Sequence, residues 1–132
     1  MTEKLNSLLD CVTTVLYLDR SGRVIATGDS FEGVVGHSDE QVRGMRLDEF
    51  LVGPMTDLYA IHTVEHCVKT EQGACLQTWC YRQDGERFLA SIVVDPVFVT
   101  PGVSKHCPCV ITDLDRAARR IVQSQGSSQE FE

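Results

Sequence analysis

Leu5, Leu8 and Leu9 fall on one face at helical spacing over Thr2 to Cys11, which predicts a short N-terminal helix over residues 1–11. The pattern then changes. Val12 to Leu18 and Arg23 to Thr27 are rich in β-branched and aromatic residues and flank Asp19-Arg20-Ser21-Gly22, so they predict a hairpin. Between Asp29 and Phe50, glycines at 33, 36 and 44 cut the chain into short pieces. Ser38, with Gln41 three residues on, has the form of a capping box that opens one short helix, and Gly44 stops it. Asp48 to Leu51 begins another helical turn. After Gly53-Pro54, a longer helix is predicted from about Met55 to Lys69, with Leu58, Ile61, Val64 and Val68 as its apolar stripe and Gln72-Gly73 as its end. Three strands follow: Ala74 to Tyr81, Arg87 to Phe98 with a disturbance at Pro96, and Ser104 to Thr112. Asp84-Gly85 turns the chain between the first two. Asp113 is placed to cap a final helix from Leu114 to about Gln123, and residues 124–132 are polar and predicted to fray.

Two strands, several short helices, three strands and a helix make an α+β domain: a five-stranded antiparallel sheet with the helices on one face. The other face is left for solvent, a flanking helix or a second copy. The length of 132 residues fits one domain with its own core. Composition narrows the partners. Lys and Arg number 12 against 19 Asp and Glu, and the net charge of -7 argues against gripping nucleic acid or an anionic membrane. No apolar run approaches the roughly 20 residues of a spanning helix. The first residues carry no signal-peptide core, so a cytoplasmic location is expected. In that setting Cys11, Cys67, Cys75, Cys80, Cys107 and Cys109 read as reduced thiols, several of them buried.

From about Val12 to Arg120 the motifs, in order, resemble a PAS domain. Asp19-Arg20-Ser21-Gly22-Arg23-Val24 resembles the Asp-x-x-Gly-x-Ile turn after the family's first strand. Phe31 and then Gly36-His37-Ser38-Asp39-Glu40-Gln41-Val42-Arg43-Gly44 resemble its Gly-Tyr-Ser-x-Glu-Glu-Leu-x-Gly stretch, with His37 in place of the Tyr and read as a surface substitution. Tyr81-Arg82-Gln83-Asp84-Gly85 resembles its Arg-Lys-Asp-Gly hairpin, and Val110-Ile111-Thr112-Asp113-Leu114-Asp115 its closing segment, where Asp115 replaces a Thr. The resemblance implies a sensory module that binds a small ligand or cofactor, or none, and signals by homodimerisation to an effector domain or partner outside this chain. The division is then residues 1–11 as a flanking helix, 12–113 as the PAS domain, 114–123 as the exit helix and 124–132 as a disordered tail. Leu5, Leu8, Leu9 and Val12 at the front, with Leu114, Ala117 and Ile121 at the back, are the expected dimer contacts.

The ligand is less legible. A photochemical flavin needs a reactive cysteine in an Asn-Cys-Arg-Phe-Leu type motif, and the comparable Leu51-Val52-Gly53-Pro54-Met55-Thr56 has none, which leaves a non-adduct flavin. Haem relatives often take an axial histidine from the long helix. His62 and His66, four apart on one face with Met55 and Tyr59, form the candidate pocket set, and they also make half of a metal site whose other ligands the sequence does not name. Cys107 and Cys109 share a strand face and are weak candidates for a metal or redox role. Cys107, Cys109 and Ile111, with Phe88, Ala90, Ile92 and Val94, are the expected inner face. No catalytic motif stands out: His62-Thr63-Val64-Glu65-His66 reverses His-Glu-x-x-His, and no enzyme is expected. The alternatives that remain are a ligand-free dimerisation scaffold and a cysteine-based metal or redox module.

Overall fold

A computed structural model describes residues 12–95 and 106–129, with side chains described as far as Val122. Leu5, Leu8, Leu9 and Cys11, the expected strand residues after Asp95, and the start of the last expected strand before His106 lie outside the described residues. The elements are β1 (Thr13–Asp19), β2 (Val24–Thr27), α1 (Phe31–Val35), α2 (Asp39–Val42), α3 (Leu47–Phe50), α4 (Leu58–Thr70), β3 (Ala74–Tyr81), β4 (Arg87–Val94), β5 (His106–Asp113) and α5 (Leu114–Gln129).

The five strands form one sheet in the order β2-β1-β5-β4-β3, with every neighbouring pair antiparallel. The first strand pairs with the last, with Leu16 opposite Cys109, so the two ends of the fold meet in the sheet's middle. Alternation then sorts the side chains. Leu16 and Leu18, Phe88 through Val94 at every second position, and Cys107, Cys109 and Ile111 are buried on one face. They pack with Phe31, Val34 and Val35 of α1 and Ile61, Val64 and Val68 of α4. The inner set is the one expected from the sequence. Each Val, Leu, Ile or Phe among these contributes about 1.5–3 kcal/mol by leaving water. The opposite face carries a half-buried row, Val15 beside Val110 beside Val93, ending at the exposed Cys75.

Local chemistry sets the helix ends. Ser38 accepts from Gln41 N–H at 3.2 Å and the Gln41 side chain accepts from Ser38 N–H at 3.0 Å, so the capping box forms. The long helix α4 starts at Leu58, three residues later than expected, because the Asp57 carboxylate accepts the N–H of Tyr59 and Ala60. It ends at Thr70 on Glu71, which takes the left-handed conformation at φ 57° ahead of Gly73. Asp113 Oδ1 accepts Arg116 N–H at 2.9 Å and opens α5. That helix continues to Gln129, through Gly126, past the expected end near Gln123 and into the segment expected to fray. Among the described residues, no helix is long and apolar enough to cross a membrane.

Candidate functional site

A groove of about 620 Å³ runs between α2–α3 and the β3–β4 hairpin, lined in part by His37, Gln41, Phe50, Gly53, Tyr81 and Arg82. Its size is in the range of small-molecule sites. Tyr81 organises the wall. Its N–H donates to the Leu51 carbonyl at 2.9 Å, and its hydroxyl accepts Met55 N–H at 2.9 Å. The ring lies so close over Gly53 that a Cβ there would sit 2.4 Å from it. His37 Nε2 lies 3.1 Å from the Tyr81 carbonyl oxygen, which only accepts, so the proton belongs on Nε2. The same imidazole meets the Phe50 ring edge-on, with centroids 5.6 Å apart. His37 is therefore a half-buried tie between the helical segment and the sheet, which corrects its reading as a surface substitution.

Arg82 is the floor of the groove and reaches beyond it. The side chain lies against Gly36, whose left-handed φ of 78° ends α1 and where a Cβ would come within 2.8 Å of the arginine stem. The guanidinium stacks 4.3 Å over Phe88, donates from Nη1 to Glu86 at 2.8 Å and donates from Nη2 to Asp113 Oδ2. Asp113 is fully buried. It also receives the Arg116 main chain, and the Arg116 Nε lies 3.4 Å from Oδ2. Arg116 Nη1 in turn donates to the Gly33 carbonyl at 2.7 Å. One carboxylate thus joins the hairpin, the end of β5, the first turn of α5 and, through Arg116, the Gly33 carbonyl within α1. In the sequence Arg82 stands out only as part of the hairpin motif, and Asp113 as the cap of the final helix. A cation leading a hairpin turn and an acid closing the last strand were the available signals, but their pairing across 31 residues is a product of the sheet order.

Met55, Tyr59, His62 and His66 lie elsewhere. Met55 is 55% exposed, Tyr59 is 79% exposed, and both histidines face solvent. The inward stripe of α4 is Ala60, Ile61, Val64, Glu65, Cys67 and Val68. At 100° per residue, a stripe at 61, 64 and 68 turns positions 59, 62 and 66 outward. The candidate pocket set therefore lines the outside of the helical layer and not its interior. His62 Nε2 lies 3.9 Å from Asp48 Oδ2.

Cys107 and Cys109 share the inner face, both buried. Burial pushes the Cys109 thiol far up, with Cys107 and Cys80 adding to it. Burial pushes Cys80 up to about 12 and also raises Cys107, with Asp95 adding to the latter. Thiols held protonated in an apolar core are poor ligands and poor nucleophiles. Cys67, Cys75, Cys80, Cys107 and Cys109 are all free. Of the expected dimer contacts, Val12 is 1% exposed and belongs to the core, because the first strand is covered on its inner face. Leu114 and Ala117 are half-buried, and Ile121, at 44%, is exposed.

Comparison with known proteins adds a family and a set of structural likenesses. The PAS domain family matches residues 10–116. No curated protein matches the chain in sequence. Among solved structures, the LOV domain of the Erythrobacter litoralis EL346 blue-light activated histidine kinase is similar at 21% identity and a TM-score of 0.67, over 76% of this chain and 94% of that one. The longer structure of that kinase is matched over only 35% of its length. The light-state Aureochrome1 LOV domain matches at 21% identity and 0.68, over 92% and 97% of the two chains. The PAS domain of the fruit-fly ELK potassium channel matches at 16% and 0.67, over 76% and 85%. At these identities the likeness is one of fold.

Proposed function

Because this chain belongs to the PAS domain family, a family of sensory modules rather than enzymes, we propose that it senses a small molecule in the groove beside Tyr81 and Arg82 and reports it through α5. The observation that carries this reading is the double duty of Arg82. It lines the groove and also holds Asp113, on which the exit helix starts. A ligand that pulls on the guanidinium changes the support of that helix. The output is homodimerisation through Leu114, Ala117 and Ile121, with Leu5, Leu8 and Leu9 adding apolar surface, and the effector lies outside this chain. Free thiols fit a reducing, cytoplasmic setting.

A flavin adduct is not proposed, since residues 51–56 hold no cysteine and Cys67, Cys80, Cys107 and Cys109 are buried. Haem ligated by His62 or His66 would sit outside the helical layer. The test is native mass spectrometry of the freshly purified chain, with an absorption spectrum of the same sample. The expected result is excess mass that disappears in Gln83→Trp, which places a large ring in the groove from an exposed position on its rim. Bare chain mass in every preparation overturns the ligand part and favours a second reading, a ligand-free dimerisation scaffold. That reading draws on Ile121 and Val122, both exposed on α5.

A further inference from the structure

We propose that Asp48, His62 and Glu65 form a binding site for a divalent transition-metal ion on the outside of the helical layer, where it clamps α3 to α4. The three residues come from two elements. α3 presents Asp48, and α4 presents His62 and Glu65 three apart, His62 from its exposed side and Glu65 from the adjoining margin of its buried stripe. One ligand atom from each lies within 4.8 Å of the others. Metal–oxygen and metal–nitrogen bonds of about 2.0–2.2 Å bring neighbouring ligands to roughly 3 Å, so the site closes by small side-chain movements. His62 is exposed and free to make most of them.

An acidic pair beside a histidine is common on surfaces. Glu65 is what distinguishes this one. It is only 8% exposed, and its Oε1 is buried with no hydrogen-bond partner. A buried carboxylate oxygen without a donor is costly, and a cation is the group that satisfies it. The nearby cations leave the opening unfilled. Arg46 Nε engages Asp48 Oδ1 at 3.3 Å, while Oδ2 is the oxygen turned toward His62. Arg46 and Lys69 act on Glu65 only as charges weaker than that of Asp48, with no ion pair to it among the described residues.

Two carboxylates and one imidazole select the ion class. Imidazole disfavours calcium and magnesium, and the lack of thiolate disfavours copper(I), so zinc, copper(II), manganese, iron(II), cobalt and nickel are the candidates. Three protein ligands leave open positions for water. The sequence pairs His62 with His66 as half of a metal site; this site keeps His62 and takes Asp48 and Glu65, without His66.

The test is a cobalt(II) titration of the full chain under reducing conditions, read by visible absorption and checked by equilibrium dialysis with zinc. The expected result is one ion per chain, with affinity at least about tenfold weaker in both His62→Ala and Glu65→Gln, and unchanged in Cys107→Ser/Cys109→Ser. His62 is exposed and Glu65→Gln keeps the shape, so both variants fold. Absence of saturable binding up to about 1 mM, binding that both variants retain, or thiolate charge-transfer bands abolished by cysteine alkylation would each overturn the proposal.

Discussion

The Arg82–Asp113 pair concentrates the largest single-residue effects. Both side chains are more than nine-tenths buried, and each is the other's main counter-charge. Removing one leaves the other buried with only a more exposed partner, Glu86 for Arg82 and Arg116 for Asp113, which costs up to about 3–5 kcal/mol. Arg82→Met and Asp113→Asn are each expected to lose about that much in urea denaturation, and the double variant less than the sum. Additive losses would show that the two do not act as a pair. Gly53→Ala forces a Cβ into the Tyr81 ring, and a loss of about 1–3 kcal/mol is expected from the same measurement. Acid stability has a residue-level source in Asp19. Burial alone would raise its carboxyl, but the Ser21 hydroxyl, the N–H groups of Arg23 and Ser21, and the Arg23 charge outweigh burial and hold it below the ordinary 3.8. A carboxyl lowered on folding contributes stability above its unfolded value, and that contribution is lost as pH falls through the folded value. Denaturation midpoints at pH 7 and pH 3 should therefore differ less in Asp19→Asn than in the parent chain. An equal difference would remove Asp19 from the account.

Among the elements, legibility follows how local the cause is. β3 runs over Ala74–Tyr81 as its composition indicates, because the Asp84-Gly85 turn and the following strand fix its end. The capping box at Ser38 was readable because its two bonds span three residues. The start of α4 was not, since Met55 continues the apolar pattern but its N–H is taken by the Tyr81 hydroxyl, a partner 26 residues away. Thr56 and Asp57 are likewise tied to β3, through the Trp79 carbonyl and the Thr78 hydroxyl. Asp57 then both caps the helix and anchors it. Asp57→Ala is expected to cost about 0.5–2 kcal/mol, visible as a lower thermal midpoint, whereas an unchanged midpoint would mean the β3 ties hold the start without the cap. Phe31–Val35, a five-residue helix between glycines, has too little length to show a period and is held by the burial of Phe31, Val34 and Val35.

For the whole molecule, the apolar surface exposed on the exit helix is the feature that bears on assembly. The exposed Ile121 and Val122 lie on α5, which leaves the sheet at Asp113. If this helix carries the dimer, Ile121→Asp should weaken self-association by about tenfold in sedimentation at micromolar concentrations. A parent chain that stays monomeric at high micromolar concentration would remove the dimer from the proposal. The local pattern was enough for the α+β class, the inner-face set, the hairpins and Asp113 as a cap, because alternation, turn chemistry and capping act between residues a few positions apart. The groove wall at Tyr81 and Arg82, the outward turn of His62 and His66, the burial of Val12, and the meeting of Asp48 with His62 and Glu65 were decided only by tertiary structure. Each depends on which side of an element faces a neighbour from a distant part of the chain, and a periodic sequence leaves that choice to packing.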